Sequence, residues 1–154
     1  MVVIGNSNIS NNTIKIWFFL MFDNFSELGL GTSNLASFGR ALSFKKAKNL
    51  IDQAIDAEIK TFDTADTYAS GDTERLIGKI IQNKRDKIFI ISKVGLPYID
   101  LPEFLSPLNQ FGKKILQTLN MKKNYSSKYI LSNIKKSLKR LNTEYLDAYL
   151  LHDF

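Results

Sequence analysis

Four side chains in this sequence are of types that move protons or stabilise charge in enzymes, and each lies at or just beyond the end of a predicted strand. They are Asp63, Tyr68, Lys93 and His152. In a parallel α/β fold the carboxyl ends of successive strands meet on one face, so these side chains are predicted to converge there. Taken singly, each has an ordinary structural explanation, such as a cap, a rim aromatic or a core histidine. Their shared position at strand ends favours one common site.

A site of this composition suits the protonation of a carbonyl oxygen. Free tyrosine has a pKa of about 10, so a proton-donating Tyr68 requires a nearby cation to stabilise its phenolate, and Lys93 can supply it. A lysine in a partly dry site requires an anion to remain charged, which Asp63 provides. His152 can polarise and orient the carbonyl through a hydrogen bond.

The segments that position these residues alternate between strand and helix patterns. Strands are predicted at Leu28–Gly31, Lys60–Asp63, Ile88–Ser92 and Leu146–Leu151. Helix N-caps are predicted at Ser43, at Asp72 or Thr73, and at Ser126 or Ser127. Short polar side chains at these places accept hydrogen bonds from the first helical turn. Four strands and three helices in alternation are typical of parallel strands joined by right-handed crossovers, and make about half of an eightfold barrel.

The apolar pattern also predicts which faces are buried. The segment Ser26–Thr32 is predicted to be a short buried strand. Its end, at Gly31 and Thr32, would let a flexible backbone approach a ligand closely. The helix after Ser43 is predicted to bury one face, which comprises Phe44, Ala47, Leu50, Ile51, Ala54 and Ile55.

Two segments do not follow the alternation. Residues 1–25 are predicted to be a separate N-terminal segment. Its apolar run Ile14–Phe22 is predicted to be a buried strand, because it is far shorter than the roughly 18 to 20 residues of a membrane span. The connection Val94–Tyr125 is predicted to contain a helix near Gln110–Leu119. A connection this long after a strand is usually a functional loop.

Composition limits the function further. The chain has 154 residues, of which 44% are hydrophobic and 23% charged, which is ordinary for a globular protein and argues against disorder. It contains no cysteine, which excludes a thiolate metal site and fits a reducing compartment, so a cytoplasmic location is predicted. The net charge of +6 is predicted to reflect a solvated helix face and a basic loop, rather than a partner such as nucleic acid or an anionic membrane.

Three motifs occur in order along the chain: FDTADTY at residues 62–68, ISK at 91–93 and LDAYLLHD at 146–153. Together they resemble the motifs of the aldo-keto reductases, and the likeness extends over roughly residues 26–154. The resemblance implies a catalytic tetrad of Asp63, Tyr68, Lys93 and His152. It places the sequence GLGT at the first strand end, beneath the nicotinamide. It further implies that the cofactor contacts Gly31, Thr32 and Asp63.

The fold implied by this resemblance is a (β/α)8 TIM barrel of the aldo-keto reductase type, of which residues 26–154 supply about the first four strand–helix units. Residues 1–25 would then be a hairpin that closes the barrel bottom, with its turn at Gly5, Asn6 and Ser7. The implied activity is the NADPH-dependent reduction of aldehyde or ketone carbonyls to alcohols. In that reaction Tyr68 donates the proton.

The later strands of the family, which hold most of the NADPH, have no counterpart in this sequence. The chain is therefore expected to be a fragment with little activity alone. An open half-barrel also leaves strand edges unpaired and inward-facing side chains exposed, so self-association is expected.

Two other functions remain open from the sequence. Lys93 at a barrel strand end is a candidate nucleophile for a Schiff-base aldolase. The second alternative is a non-catalytic binding module, since the aldo-keto reductase family includes channel-associated subunits that act through protein contacts. The sequence contains no code that identifies a particular carbonyl substrate.

Overall fold

A computed structural model describes residues 25–37, 41–99 and 122–153 of the chain. Three of the sequence predictions lie outside these ranges. They are the hairpin turn at Gly5, Asn6 and Ser7, the strand at Ile14–Phe22, and the helix near Gln110–Leu119. The described fold therefore comprises residues 25–37, 41–99 and 122–153.

Strands and helices alternate along the described residues. In chain order the elements are β1 (Gly29–Gly31), α1 (Phe44–Asp56), β2 (Thr61–Asp63), a 3-10 turn (Tyr68–Gly71), α2 (Asp72–Ile81), a second 3-10 turn (Arg85–Lys87), β3 (Phe89–Val94), α3 (Ser127–Leu141) and β4 (Ala148–Leu151). All four strands predicted from the sequence are present, each within two residues of its predicted limits.

The four strands form one parallel sheet in the order β1-β2-β3-β4. Gly31 pairs with Asp63, Asp63 with Ile91, and Ile91 with Ala148. Lys93 therefore lies two residues beyond the level of Asp63 on the neighbouring strand. Since the pairing is parallel throughout, all four strands end at the same edge of the sheet.

The predicted burial of β1 is wrong. Gly29 and Gly31 are exposed and Leu30 is only half-buried. The reason is its position, because within the described residues β1 is an edge strand that pairs only with β2. The sequence pattern identifies the strand itself. Whether a short strand is buried depends on which other segments pack against it, and the residues of the strand do not encode that.

Helix α1 begins as predicted, since the Ser43 hydroxyl accepts a hydrogen bond from the Lys46 N–H at 3.4 Å. Its buried stripe is narrower than predicted, because Phe44 and Leu50 are 51% and 37% exposed. At 3.6 residues per turn these two side chains lie roughly 60° to either side of the buried Ala47. The helix packs into the core through the small and branched residues Ala47, Ile51 and Ala54 along the centre of its apolar face.

Helix α2 begins differently from the prediction, which named Asp72 or Thr73 as its cap. The N-cap is Gly71, in a left-handed conformation with φ of 91°, and makes no side-chain cap. Asp72 and Thr73 are the first residues of the helix itself. The acidic Asp72 there is favourably placed against the helix dipole and accepts a hydrogen bond from Arg75 at 2.9 Å.

Helix α3 begins at the predicted cap, where the Ser126 hydroxyl accepts from the Tyr129 N–H at 3.4 Å. It packs against α2 so closely that a Cβ on Gly78 would lie 2.5 Å from the Arg140 carbonyl oxygen. Only glycine fits that crossing. Across the described parts of the chain, no helix combines the length and the apolar character that crossing a bilayer requires.

The entry into β4 is fixed by Asp147. Its carboxylate accepts a hydrogen bond from the Ile90 N–H at 2.7 Å and a second from the Arg85 guanidinium at 2.6 Å. Burial raises the pKa of Asp147, while the positive charge of Arg85 and these hydrogen bonds oppose that rise. The Ile90 N–H of β3 thus bonds to the Asp147 side chain instead of to a backbone carbonyl oxygen, and this contact holds the start of β4 beside β3.

The core between sheet and helices contains a buried ion pair. Glu74 of α2 is fully buried, and its carboxylate accepts from the Arg140 Nε at 2.7 Å and from the Ser92 hydroxyl at 2.7 Å. Arg140 also donates to the Ser137 hydroxyl at 3.1 Å. One carboxylate therefore joins α2, β3 and α3.

Arg140→Met is expected to destabilise the fold by about 3–5 kcal/mol, because it leaves the Glu74 carboxylate buried without its cation. Denaturant unfolding measures the change. The matched control is Lys48→Met, which breaks the exposed ion pair with Asp52 and is expected to cost no more than about 1 kcal/mol. Equal losses for the two variants would contradict a special role for the buried pair.

Candidate active site

Lys93 lies at the centre of the predicted site. Its ammonium donates a hydrogen bond to the Asp63 carboxylate and another to the Thr64 carbonyl oxygen at 3.0 Å. The Tyr68 hydroxyl lies 3.5 Å from the same nitrogen. The structure thus brings three of the four predicted residues together, with the cation between the carboxylate and the phenol.

Strand alternation explains why Lys93 faces this site. Successive side chains of a strand point to opposite faces, and the preceding residue, Ser92, points to the helices, where it bonds Glu74. The backbone after β2 is tied to the same strand, because the Thr64 N–H donates to the Ile91 carbonyl oxygen at 2.8 Å. The Lys93 side chain is 16% exposed and that of Asp63 is 42% exposed. The ion pair is therefore shielded on the lysine side and accessible on the carboxylate side.

Tyr68 is held by an unusual stretch of backbone. The next two residues, Ala69 and Ser70, have positive φ values of 48° and 54°. Such conformations cost energy in residues other than glycine and persist where the surrounding structure enforces them. They place the Tyr68 ring between two partners: its centroid is 5.3 Å from the Lys93 ammonium and 6.0 Å from the His152 ring, which meets it edge-on at 80°.

His152 follows β4 and is half-buried. Its N–H donates to the Val94 carbonyl oxygen at 2.8 Å, which continues the parallel ladder by one step. The imidazole Nδ1 is buried and has no hydrogen-bond partner within residues 25–37, 41–99 and 122–153. Burial lowers the pKa of His152; the charge of Asp153 opposes this and that of Lys93 adds to it. The environment therefore favours the neutral form of the ring.

The first strand end supports the site from the other side. The Thr32 N–H and hydroxyl both donate to the Asp63 carbonyl oxygen, at 3.0 and 2.9 Å. Thr32 is fully buried, whereas Gly31 is exposed, and a Cβ on Gly31 would meet no heavy atom within 4 Å. Thr32 therefore fixes the backbone of Asp63, and Gly31 leaves open space beside it. Whether either residue contacts a cofactor stays a prediction.

Two contacts of the site were not predicted from the sequence. The Thr64 carbonyl oxygen binds the Lys93 ammonium through the backbone, so no residue type signals it. Tyr125 donates from its hydroxyl to the His152 carbonyl oxygen at 2.5 Å. The sequence signal that could have indicated this contact is the position of Tyr125 directly before the predicted cap Ser126. A residue at that position lies near the sheet edge at which the helix begins.

A family comparison accounts for this arrangement. Residues 27–154 match the family model described as "Aldo/keto reductase family". The chain belongs to the aldo-keto reductases. The fold predicted from the three motifs is thereby confirmed: the parallel sheet and its helices correspond to part of the (β/α)8 barrel of solved aldo-keto reductases.

Individual relatives agree with this assignment. The uncharacterized oxidoreductase YqkF of Bacillus subtilis is 35% identical over 129 residues, which are 82% of this chain and 35% of YqkF. The holo form of aldo-keto reductase AKR11C1 from Bacillus halodurans superposes with a TM-score of 0.61 at 30% identity, over 82% of this chain and 36% of that one. An aldo-keto reductase from Klebsiella pneumoniae in complex with NADPH has a TM-score of 0.56 at 26% identity, over 80% and 34%. The chain thus spans about a third of the length of these relatives.

The electrostatics of His152 can be tested directly, because it is the single histidine of the chain. Titration of its imidazole by NMR is expected to give a pKa below 6.5, since burial disfavours the charged form. A group whose pKa is lowered by folding destabilises the fold when it is protonated, so stability should fall as the pH drops below 6.5. His152→Gln should remove this part of the pH dependence. A midpoint at or above 6.5 would contradict the described burial.

Proposed function

We propose that this chain carries the catalytic side chains of an NADPH-dependent reductase of aldehydes and ketones, with Tyr68 as the proton donor. The observation that supports this most is the Lys93 ammonium between the Asp63 carboxylate and the Tyr68 hydroxyl. A tyrosine gives up a proton at neutral pH only where its phenolate is stabilised, and an adjacent cation provides that. A cytoplasmic location stays a prediction from composition.

Each side chain has a distinct task in the proposed reaction. NADPH, when bound, supplies the hydride that is transferred to the carbonyl carbon. Tyr68 then gives its proton to the carbonyl oxygen as negative charge develops there, and Lys93 stabilises the phenolate that remains. The Asp63 carboxylate pairs with the Lys93 ammonium and compensates its positive charge. A neutral His152, close to the Tyr68 ring, can donate a hydrogen bond that orients the carbonyl oxygen.

The residues at the first strand end are compatible with a nicotinamide cofactor. The open space at Gly31 and the 42% exposure of the Asp63 side chain leave room beside the tetrad. The Thr32 hydroxyl already donates to Asp63, so its remaining capacity is as an acceptor. Because the chain spans about a third of its relatives, we propose that most contacts to NADPH come from residues outside this sequence.

The ion pair disfavours the aldolase alternative. A Schiff-base lysine must present a neutral amine to its substrate, whereas the Lys93 nitrogen is bonded to a carboxylate and to the Thr64 carbonyl oxygen. Trapping with borohydride in the presence of an aldehyde would label Lys93 only if that alternative were correct. Among the described residues, no contact within the site specifically favours a non-catalytic binding module.

The chain alone is proposed to have little activity and to self-associate. Within the described residues, β1 and β4 are edge strands, and Leu28 near the first edge and Leu151 at the second are 68% and 40% exposed. Unpaired strand edges with apolar neighbours favour association. A test of catalysis therefore uses a chimera in which residues 25–154 replace the matching segment of YqkF.

In that chimera, Tyr68→Phe is expected to lower the rate of NADPH-dependent carbonyl reduction by roughly 10²–10⁴-fold, because only the proton donor is lost. Loss of NADPH absorbance measures the rate, and quenching of protein fluorescence by NADPH measures cofactor binding, which should change little. The control is Tyr145→Phe, at an exposed tyrosine whose ring packs against Arg85. Turnover in Tyr68→Phe equal to that of the control would remove Tyr68 from the mechanism.

A further inference from the structure

The segment that returns from the long connection after β3 crosses the ends of two strands. The Asn124 N–H donates to the Gly95 carbonyl oxygen at 2.9 Å, just beyond β3. The Lys123 ammonium donates to the Asp153 carbonyl oxygen, just beyond β4. The residue after Asn124, Tyr125, donates from its hydroxyl to the His152 carbonyl oxygen at 2.5 Å. Three consecutive residues thus fasten this segment to the edge of the sheet that carries the site.

The Tyr125 ring packs directly on the backbone of Gly95. A Cβ on Gly95 would lie 2.0 Å from the Tyr125 Cε1, and the φ of Gly95 is +130°. A residue with a side chain would be both strained and in collision with the ring. The half-buried tyrosine is therefore seated in one position, and its hydroxyl is directed at the residue that the site uses.

The backbone contacts of His152 matter because, within the described residues, its Nδ1 makes no hydrogen bond that would orient the imidazole. A functional imidazole is commonly oriented by a hydrogen bond to its second nitrogen. Here the buried Nδ1 has no such partner in the described part of the chain. What holds the residue is its N–H on the Val94 carbonyl oxygen and its carbonyl oxygen under the Tyr125 hydroxyl.

We propose that Tyr125 is a positioning residue for the site, which fixes the backbone of His152 and thereby holds the imidazole against the Tyr68 ring. Any effect of Tyr125 on carbonyl reduction rests on the function proposed above. Its effect on the position of His152 does not depend on that function.

Tyr125→Phe removes the hydroxyl and leaves the ring on Gly95. NMR of the 154-residue chain, compared at one protein concentration for each variant, gives a single set of imidazole signals to follow, because His152 is its only histidine. The charges that act on this imidazole belong to Asp153, Lys93, Asp63 and Lys123, and the substitution changes none of them. A released imidazole gains water, so its pKa should rise toward 6.5, and its carbon-bound protons should lose the shift that the Tyr68 ring imposes.

The matched control is Tyr129→Phe. Tyr129 is half-buried, and its hydroxyl donates to the Leu96 carbonyl oxygen at 3.4 Å, without contact to His152. The control should leave both the titration and the imidazole shifts as in the unchanged chain. The proposal is overturned if Tyr125→Phe also leaves them unchanged, or if both variants move them equally.

A second measurement covers the case in which Tyr125→Phe fails to fold. In the unchanged chain, the Tyr125 hydroxyl proton should exchange with water more slowly than that of the exposed Tyr145, because it is engaged with the His152 carbonyl oxygen. Equal exchange rates would overturn the proposal. These readouts do not involve turnover, so an active Tyr68→Phe chimera would end the proposed mechanism and leave the positioning role intact.

Discussion

The site depends on keeping one lysine charged in a place with little water. The Lys93 ammonium is largely shielded, and burial of a cation is costly unless it is paired and hydrogen-bonded. Asp63 provides the charge and the Thr64 carbonyl oxygen a further acceptor. Both belong to the chain as it leaves β2, so the neighbouring strands must be parallel and in their observed register. A slip of one residue would turn Lys93 to the helices.

On the opposite face of β3, the strand that carries Lys93, a buried ion pair is hydrogen-bonded to the neighbouring residue. Ser92 donates to Glu74, whose carboxylate also pairs with Arg140. Glu74 lies in the first turn of α2, shortly after Tyr68, and Arg140 lies in the last turn of α3, shortly before β4. The buried pair thus joins the helix that follows Tyr68 to the helix that precedes β4 and His152, although neither charged group faces the site. The buried core and the geometry of the site are thus connected through the adjacent residues Ser92 and Lys93 of β3.

The sequence predicted the parts of the molecule that local pattern determines. The strand ends at Asp63 and Lys93 follow from apolar runs, and the caps at Ser43 and Ser126 from side-chain chemistry. The exposure of β1, the left-handed turn that starts α2 at Gly71, and the reach of Tyr125 to His152 were missed. Each of these depends on which distant segment lies alongside, and no short-range pattern carries that information. The motifs predicted the four site residues, whereas the contacts that support these residues required the structure.

The Lys93 ammonium can be observed directly by NMR. Its protons should exchange with water slowly enough to give a ¹⁵N-correlated NMR signal near pH 7, because carboxylate and carbonyl oxygens hold them in a shielded place. The signal should vanish in Lys93→Arg and weaken in Asp63→Asn. Exposed lysines such as Lys45 should give none under the same conditions. A Lys93 ammonium that exchanges as fast as that of Lys45 would contradict the central claim that this cation is held between Asp63 and Tyr68.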